Sequence, residues 1–69
     1  MPLTFAKIGE RKTIKKISGK DSIKRFLESL GFVEGTEVTV LSDIHGNLIV
    51  NVKESRIALS KEMACKIVV

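Results

Sequence analysis

The side chains that could perform catalysis are few, and they cluster in one short stretch of the sequence. Ser42, Asp43 and His45 are types found in hydrolases, and His45 is the one histidine of the chain. Residues this close within a turn cannot place a nucleophile, a base and an orienting carboxylate in line, and no G-x-S-x-G elbow is present. The chain also lacks a glycine-rich phosphate-binding loop. We therefore interpret this stretch as a polar hairpin tip and predict that the protein is not an enzyme.

Metal-ligating side chains are equally sparse. Besides Met1, the soft or borderline ligands are His45, Met63 and Cys65, which are too few for a tetrahedral zinc site. We interpret Met63 as a gap-filling residue and Cys65 as a small buried hydrophobic residue. We expect no tightly bound cofactor; weak association of a divalent transition metal with His45 and exposed carboxylates stays open, and metal ligands are unknown. The lone cysteine cannot form an internal disulfide, which fits a reducing cytosol.

Positive charge is concentrated in the first third of the chain. Residues 1–25 hold eight Lys or Arg against two acidic residues, whereas residues 26–69 hold four against six. We expect one end of the molecule to present a positive surface, and the candidate partner-binding residues are Lys15, Lys16, Lys20, Lys24 and Arg25. A helix starting near residue 22 places Lys24 and Arg25 in its first turn, where the helix dipole disfavours cations; a broken local rule can mark a working surface. The alternative is that these are ordinary solubilising residues.

The aromatic content bears on the nature of the partner. The chain has three Phe and no Tyr or Trp. We place Phe5 in a first strand, Phe26 in the core stripe of a helix and Phe32 in the contact that ends this helix, so none is free to stack on bases. Because single-strand binders combine a positive groove with exposed aromatics, this argues against RNA. A protein partner fits better, and the positive charge also suits an acidic partner or anionic lipid headgroups.

A short helix is predicted over about residues 22–30. Its apolar positions recur at i, i+3, i+4 and i+7 and share one face: Ile23, Phe26, Leu27 and Leu30. Asp21 is predicted to be the N-cap, because its carboxylate can accept from the amide hydrogens of the first turn. Gly31 is predicted to take the left-handed position after the helix, and Phe32 to fold back on the last turn.

The remaining segments alternate in the manner of short strands. The period-two pattern predicts strands at about 36–41, 48–52, 56–59 and 66–69, with a helical turn over 61–65 that Ser60 caps. Gly46 and Asn47 tolerate positive φ, so we expect the first two strands to form a hairpin. The segment 11–17 looks extended, but Ile14 and Ile17 fall on opposite faces, which indicates a bulge or a switch of face.

These elements predict a mainly β fold. A meander of about five short strands can bury its apolar side only by curling on itself, with the helix plugging an open end. We therefore predict a small SH3-like barrel with one inserted α-helix at about 22–30 and a short helical turn before the last strand. The chain has 69 residues and no linker or repeat, so we predict one domain over 1–69. No apolar run exceeds three residues, which excludes a transmembrane helix and a signal peptide.

Two segments carry a family resemblance. The run Leu27-x-x-Leu30-Gly31-Phe32-x-x-Gly35 is similar to the L-x-x-L-G-[LF]-x-x-G core of the FeoA-like domain family, named for ferrous iron transport protein A. The run Ile57-Ala58-Leu59-Ser60-x-x-x-Ala64-x-x-Ile67-x-Val69 resembles the closing segment of that family. The shared positions are core and turn residues: Leu27, Leu30, Gly31, Gly35, Leu59 and Ala64. The family gives no catalytic residue to carry over, and the lysine-rich stretch 12–24 departs from its pattern.

The resemblance implies a small accessory or regulatory protein of bacterial or archaeal ferrous iron uptake. The implied location is the cytoplasm, including the inner face of the membrane. The implied partner is a large membrane permease with a cytosolic GTP-binding domain; self-association into a homo-oligomer stays open. One alternative is a small β-barrel associated with RNA or the ribosome. Another is the C-terminal module of an iron-dependent repressor, but no winged-helix region precedes the domain in this sequence, so we expect no DNA partner.

Overall fold

The protein is described by a computed structural model that covers residues 1–69 and is built mainly from β-strands. Its elements, in chain order, are a 3-10 turn Leu3–Phe5, β1 Arg11–Thr13, β2 Lys16–Ile17, α1 Asp21–Ser29, β3 Glu37–Ile44, β4 Asn47–Val52, β5 Ser55–Ser60, α2 Lys61–Ala64 and β6 Ile67–Val68. One antiparallel sheet has the strand order β1-β3-β4-β5, and a second sheet pairs β2 with β6. The predicted mainly β fold is confirmed. Neither α-helix has the length and apolarity needed to cross a membrane.

The structure has six strands and not five because the predicted extended segment 11–17 is divided between the two sheets. The Ile14 N–H donates to the Thr36 carbonyl oxygen at 2.9 Å, whereas the next amide, that of Lys15, donates to the Val68 carbonyl oxygen at 2.7 Å. The chain therefore leaves β3 and joins β6 within one residue. This switch buries both Ile14 and Ile17 although their spacing would place them on opposite faces of a regular strand, and it is the change of face that the sequence indicated.

Two-residue turns connect β3 to β4 and β4 to β5 in the large sheet. The β3–β4 turn has positive φ at His45 (49°) and Gly46 (80°), and the β4–β5 turn has positive φ at Lys53 (48°) and Glu54 (65°). Positive φ at both central residues is what a tight hairpin with right-handed strand twist requires. The hairpin is confirmed, but the expectation of positive φ at Asn47 is wrong, because Asn47 already pairs with Ile44 as the first residue of β4.

The helix α1 starts one residue earlier than predicted. Its N-cap is Lys20, which makes no side-chain capping hydrogen bond, and Asp21 is the first helical residue. The prediction of Asp21 as N-cap is therefore wrong, although its carboxylate still favours the positive end of the helix dipole. At the other end, Gly31 has φ 105°, the Gly31 N–H donates to Glu28 and the Phe32 N–H donates to Leu27. This pair of bonds is the Schellman ending that the sequence predicted.

Only part of the predicted apolar stripe of α1 enters the core. Leu27 is fully buried, Ile23 and Leu30 pack partly against the core, and Phe26 is 50% exposed. The prediction that Phe26 belongs to the core is wrong. At about 100° per residue, Phe26 lies a quarter turn from Leu27, the residue on which the short helix rests, and so falls at the edge of the contact.

The core contains fourteen buried residues, all of them apolar, and no buried polar side chain. They come from both sheets, both helices and the connecting segments: Leu3, Ile14, Ile17, Leu27, Phe32, Val38, Val40, Leu48, Val50, Val52, Leu59, Ala64, Ile67 and Val69. Directly after β5 in the chain, the predicted helical turn is present as α2, where the Ser60 hydroxyl accepts from the Met63 N–H at 3.3 Å. The barrel interior is thus lined by apolar side chains alone.

The different burial of two adjacent helix residues predicts different effects of truncation. Leu27→Ala should lower the free energy of unfolding by about 2–5 kcal/mol, because it opens a cavity in the core. Phe26→Ala, the matched control, should cost about 1 kcal/mol or less, because half of its ring already contacts water. Urea unfolding followed by circular dichroism measures both, and equal costs would contradict the placement of the helix.

Candidate partner-binding surface

The residues considered for catalysis do not meet in the fold. His45 is exposed in the β3–β4 turn, and the Asp43 carboxylate pairs with the Lys61 ammonium at 3.2 Å. No group of three His, Cys, Asp or Glu side chains lies close enough to hold a metal ion. Met63 packs partly against the core, as expected. Cys65 is exposed, so its prediction as a buried residue is wrong; its thiol donates to the Glu62 carbonyl oxygen at 2.9 Å at the end of α2.

The five predicted partner-binding cations lie on the segment from β2 into α1. Lys15, Lys16, Lys20 and Arg25 are exposed and Lys24 is half-buried. The three ion pairs of the protein join other residues: Arg11 with Glu37, Lys12 with Glu10, and Lys61 with Asp43. Hence none of the five cations is neutralised by a carboxylate within 4.0 Å. We call these five residues the basic surface.

A groove opens beside the basic surface. It has a volume of about 420 Å³ and lies between β2, α1 and the segment after the helix, lined by Ile17, Lys24, Glu28, Val33 and Glu34. One cation of the basic surface, Lys24, therefore lines the groove together with two carboxylates and two apolar side chains. Sequence reasoning missed the other four lining residues; the Lys24 and Glu28 spacing of four within a helix was the available signal, since such residues share a face.

The start of α1 changes the electrostatic argument about the helix. Lys24 and Arg25 are its fourth and fifth residues rather than members of the first turn, and the dipole effect is largely confined to that turn. The predicted penalty on these two cations is therefore reduced. It falls instead on Lys20 at the N-cap, whose carbonyl oxygen accepts from the Ile23 and Lys24 N–H groups, each at 3.0 Å, but whose side chain supplies no acceptor. A cation at the position that prefers Ser, Asp or Asn is the local rule that this surface breaks.

Two of the three aromatic side chains are on the surface. Phe32 is fully buried, but Phe5 is 70% exposed and Phe26 is 50% exposed. Phe5 lies in the 3-10 turn and not in a strand. The prediction that no aromatic ring is free to stack is wrong for both, because the 3-10 turn anchors itself through Leu3 and the helix through Leu27. The objection to RNA binding that rested on buried aromatics no longer holds.

The six family-motif residues have structural positions. Leu27, Leu59 and Ala64 are buried, and Leu30 packs partly against the core. Gly31 ends α1, and Gly35, with φ 84°, donates its N–H to the Ile14 carbonyl oxygen at 2.8 Å. The motif therefore fixes the helix, its exit and the point where the chain changes sheets, and none of its side chains is arranged for chemistry.

Comparison with known proteins gives concordant matches. The family model described as FeoA domain matches residues 1–69. A protein of Methanocaldococcus jannaschii named "Putative Fe(2+) transport protein A" is 37% identical over 68 residues, which are 99% of this chain and 83% of that protein. The crystal structure of Stenotrophomonas maltophilia FeoA complexed with zinc, described as a procaryotic SH3 domain protein, is 30% identical, with a TM-score of 0.85 over 99% of this chain and 87% of that one.

A fourth comparison concerns the repressor alternative. A manganese-dependent transcriptional repressor is 21% identical, with a TM-score of 0.86 over 97% of this chain and 39% of that one, a likeness that shows the fold alone. The predicted SH3-like barrel is confirmed by the likeness to the S. maltophilia structure. The match of the family model over residues 1–69 and the relative at 37% identity show that this chain belongs to the FeoA domain family.

Proposed function

We propose that the protein is an accessory of ferrous iron uptake that docks through its basic surface on the cytosolic part of a GTP-binding membrane iron permease. Membership of the FeoA domain family gives the transport context. The observation that carries the docking proposal is the row of cations without carboxylate partners beside a groove. The protein acts in the cytoplasm at the inner face of the membrane, where its partner lies.

The basic surface suits an acidic partner for two reasons. When no carboxylate pairs with a cation, its positive potential is available to steer an acidic partner. Electrostatic steering raises association rates more than it raises affinity. The groove adds specificity, since Ile17 and Val33 supply apolar walls while Glu28 and Glu34 restrict which groups can enter. Because Glu28 and Glu34 line the groove and repel carboxylates, the partner that fits best places its acidic side chains against the exposed cations and an apolar side chain in the groove.

The filled interior supports a role without catalysis. No buried polar group is available to activate a substrate, and the FeoA family is a family of transport accessories rather than of known enzymes. Any transition metal would meet only isolated exposed side chains such as His45 and Cys65. We therefore propose that the protein changes the state or assembly of its partner by contact.

Charge reversal on the basic surface should weaken binding to the permease. The double variant Lys16→Glu with Lys20→Glu should bind the purified cytosolic portion of the permease about tenfold more weakly, because two exposed charge contacts are reversed. Lys53→Glu with Arg56→Glu is the matched control, since both residues are exposed, unpaired and distant in the chain. Fluorescence anisotropy at two salt concentrations measures the affinity. Equal losses in the two variants, or no saturable binding of the wild type, would contradict the proposal.

Lys20 should show a conflict between stability and binding. Lys20→Asp or Lys20→Ser should raise the free energy of unfolding by about 1 kcal/mol, because each supplies the side-chain acceptor that the Lys20 N-cap lacks. Both should also weaken permease binding, whereas Lys20→Ala should weaken binding without the gain in stability. Thermal unfolding and the binding assay together test this. A stabilised Lys20→Ser variant that binds as well as the wild type would remove Lys20 from the docking surface.

RNA is the second candidate partner, because the helix that carries Lys24 and Arg25 also exposes Phe26. Single-strand binders combine such cations with aromatic rings on which bases stack. Titration of a labelled single-stranded oligonucleotide separates this reading from the first. Tight binding that depends on salt and is lost in Phe26→Ala would favour RNA over the permease.

A further inference from the structure

The two most exposed large apolar side chains of the protein lie three residues apart in one loop. Phe5 is 70% exposed and Ile8 is 65% exposed, and both belong to the segment 5–9, which we call the apolar loop. Neither residue lines the groove described above. Single exposed apolar side chains are common, but two in one short loop make this loop a candidate interaction site.

The apolar loop has a fixed backbone. Its start is held by the 3-10 turn, in which the Phe5 N–H donates to Pro2 and the Ala6 N–H to the buried Leu3, each at 3.0 Å. Its end is a tight turn, in which the Glu10 N–H donates to the Lys7 carbonyl oxygen at 3.0 Å. The exposure of the side chains is therefore built into the fold and is not a consequence of a loose segment.

The loop is also attached to the large sheet at an irregularity. The Gly9 N–H donates to the Val40 carbonyl oxygen at 2.6 Å, directly before the point where the β3–β4 register shifts between Val40 and Ser42. The extra residue there, Leu41, is 36% exposed. The bulge thus adds a third apolar side chain at the edge where the loop crosses β3.

Cations surround the apolar loop. Lys7 lies between Phe5 and Ile8 and has no carboxylate within 4.0 Å, whereas Arg11 and Lys12, which follow, pair with Glu37 at 3.8 Å and with Glu10 at 3.4 Å. The Glu10 carboxylate is occupied locally: it accepts from the Lys7 backbone N–H at 3.0 Å and pairs with the Lys12 ammonium. These contacts, the backbone one foremost, hold the pKa of Glu10 below its usual value. The loop therefore presents hydrocarbon within a net positive border.

This combination argues against a second copy of the chain as the occupant. A two-fold contact through the apolar loop would bring two copies of the unpaired Lys7 against one another, and like-charge repulsion disfavours such an interface. Protruding side chains can also penetrate a fluid surface, and they suit such a surface better than they suit a preformed pocket. An anionic lipid bilayer offers both the hydrocarbon and the complementary charge.

We propose that the apolar loop inserts Phe5 and Ile8 between the headgroups of an anionic lipid membrane, with Lys7 contacting the headgroup phosphates. The choice of a bilayer over another apolar partner rests on the proposed function, which places the partner in a membrane. Lipid contact would restrict the protein to the membrane surface. The lipid contact itself needs no permease.

A single tryptophan tests the insertion. Because the chain has no Trp or Tyr, Phe5→Trp introduces the sole indole fluorophore, and Phe26→Trp is the control at the other exposed phenylalanine. On vesicles of phosphatidylcholine with phosphatidylglycerol, the emission of Phe5→Trp should shift to the blue and that of Phe26→Trp should not. Vesicles of phosphatidylcholine alone should shift neither. No shift in Phe5→Trp, or equal shifts in both variants, would overturn the proposal.

Co-sedimentation of the unlabelled protein gives an independent measurement. The double variant Phe5→Ser with Ile8→Ser should lower the fraction bound to the anionic vesicles by roughly tenfold or more, since both apolar anchors are lost. Its circular dichroism spectrum should match the wild type because both side chains are exposed. Self-association of the wild type that this variant abolishes would overturn the proposal in favour of a dimer contact. The vesicles contain no protein and the permease assay contains no lipid, so the two proposals fail separately.

Discussion

At Ile14 the backbone leaves one sheet and enters the other, and the remainder of the barrel depends on that change of partner. The Ile14 N–H and carbonyl bond to Thr36 and Gly35, and the next amide bonds to Val68. If the segment continued along β3, Ile17 would face solvent and the β2–β6 pair would be lost. Through this change both Ile14 and Ile17 join the core of fourteen apolar residues. A chain this short buries a smaller fraction of its surface on folding than a longer chain does, so its stability depends on that core.

A filled interior leaves recognition to the exterior, and the exterior is divided in charge. The first third of the chain supplies the basic surface and the cations of the apolar loop, whereas six of the eight acidic residues lie in the rest. Three carboxylates are used in ion pairs with other cations. The five residues of the basic surface are left free, and one of them, Lys20, stands where a capping residue would stabilise the helix.

Most of the fold could be predicted from the sequence, because its hairpins, the Gly31 helix ending and the Ser60 cap are set by local chemistry. The errors concern position relative to the barrel. Phe26 fitted the helical period, but a nine-residue helix rests on a narrow line that centres on Leu27. Phe5 and Cys65 are apolar or nearly so, yet both lie in short turns whose neighbours fill the core instead. The groove combines segments from three parts of the chain, and no single-sequence pattern marks such a meeting.

We propose that the barrel acts on its partner through the exposed side chains between β2 and α1. Nuclear magnetic resonance of the ¹⁵N-labelled protein, titrated with the unlabelled cytosolic portion of the permease, tests it most directly. We expect the shift changes to be confined to amides of residues 15–25 and of the groove residues Glu28, Val33 and Glu34. Changes centred on the outer strands β4 and β5, or spread through the buried core, would contradict it.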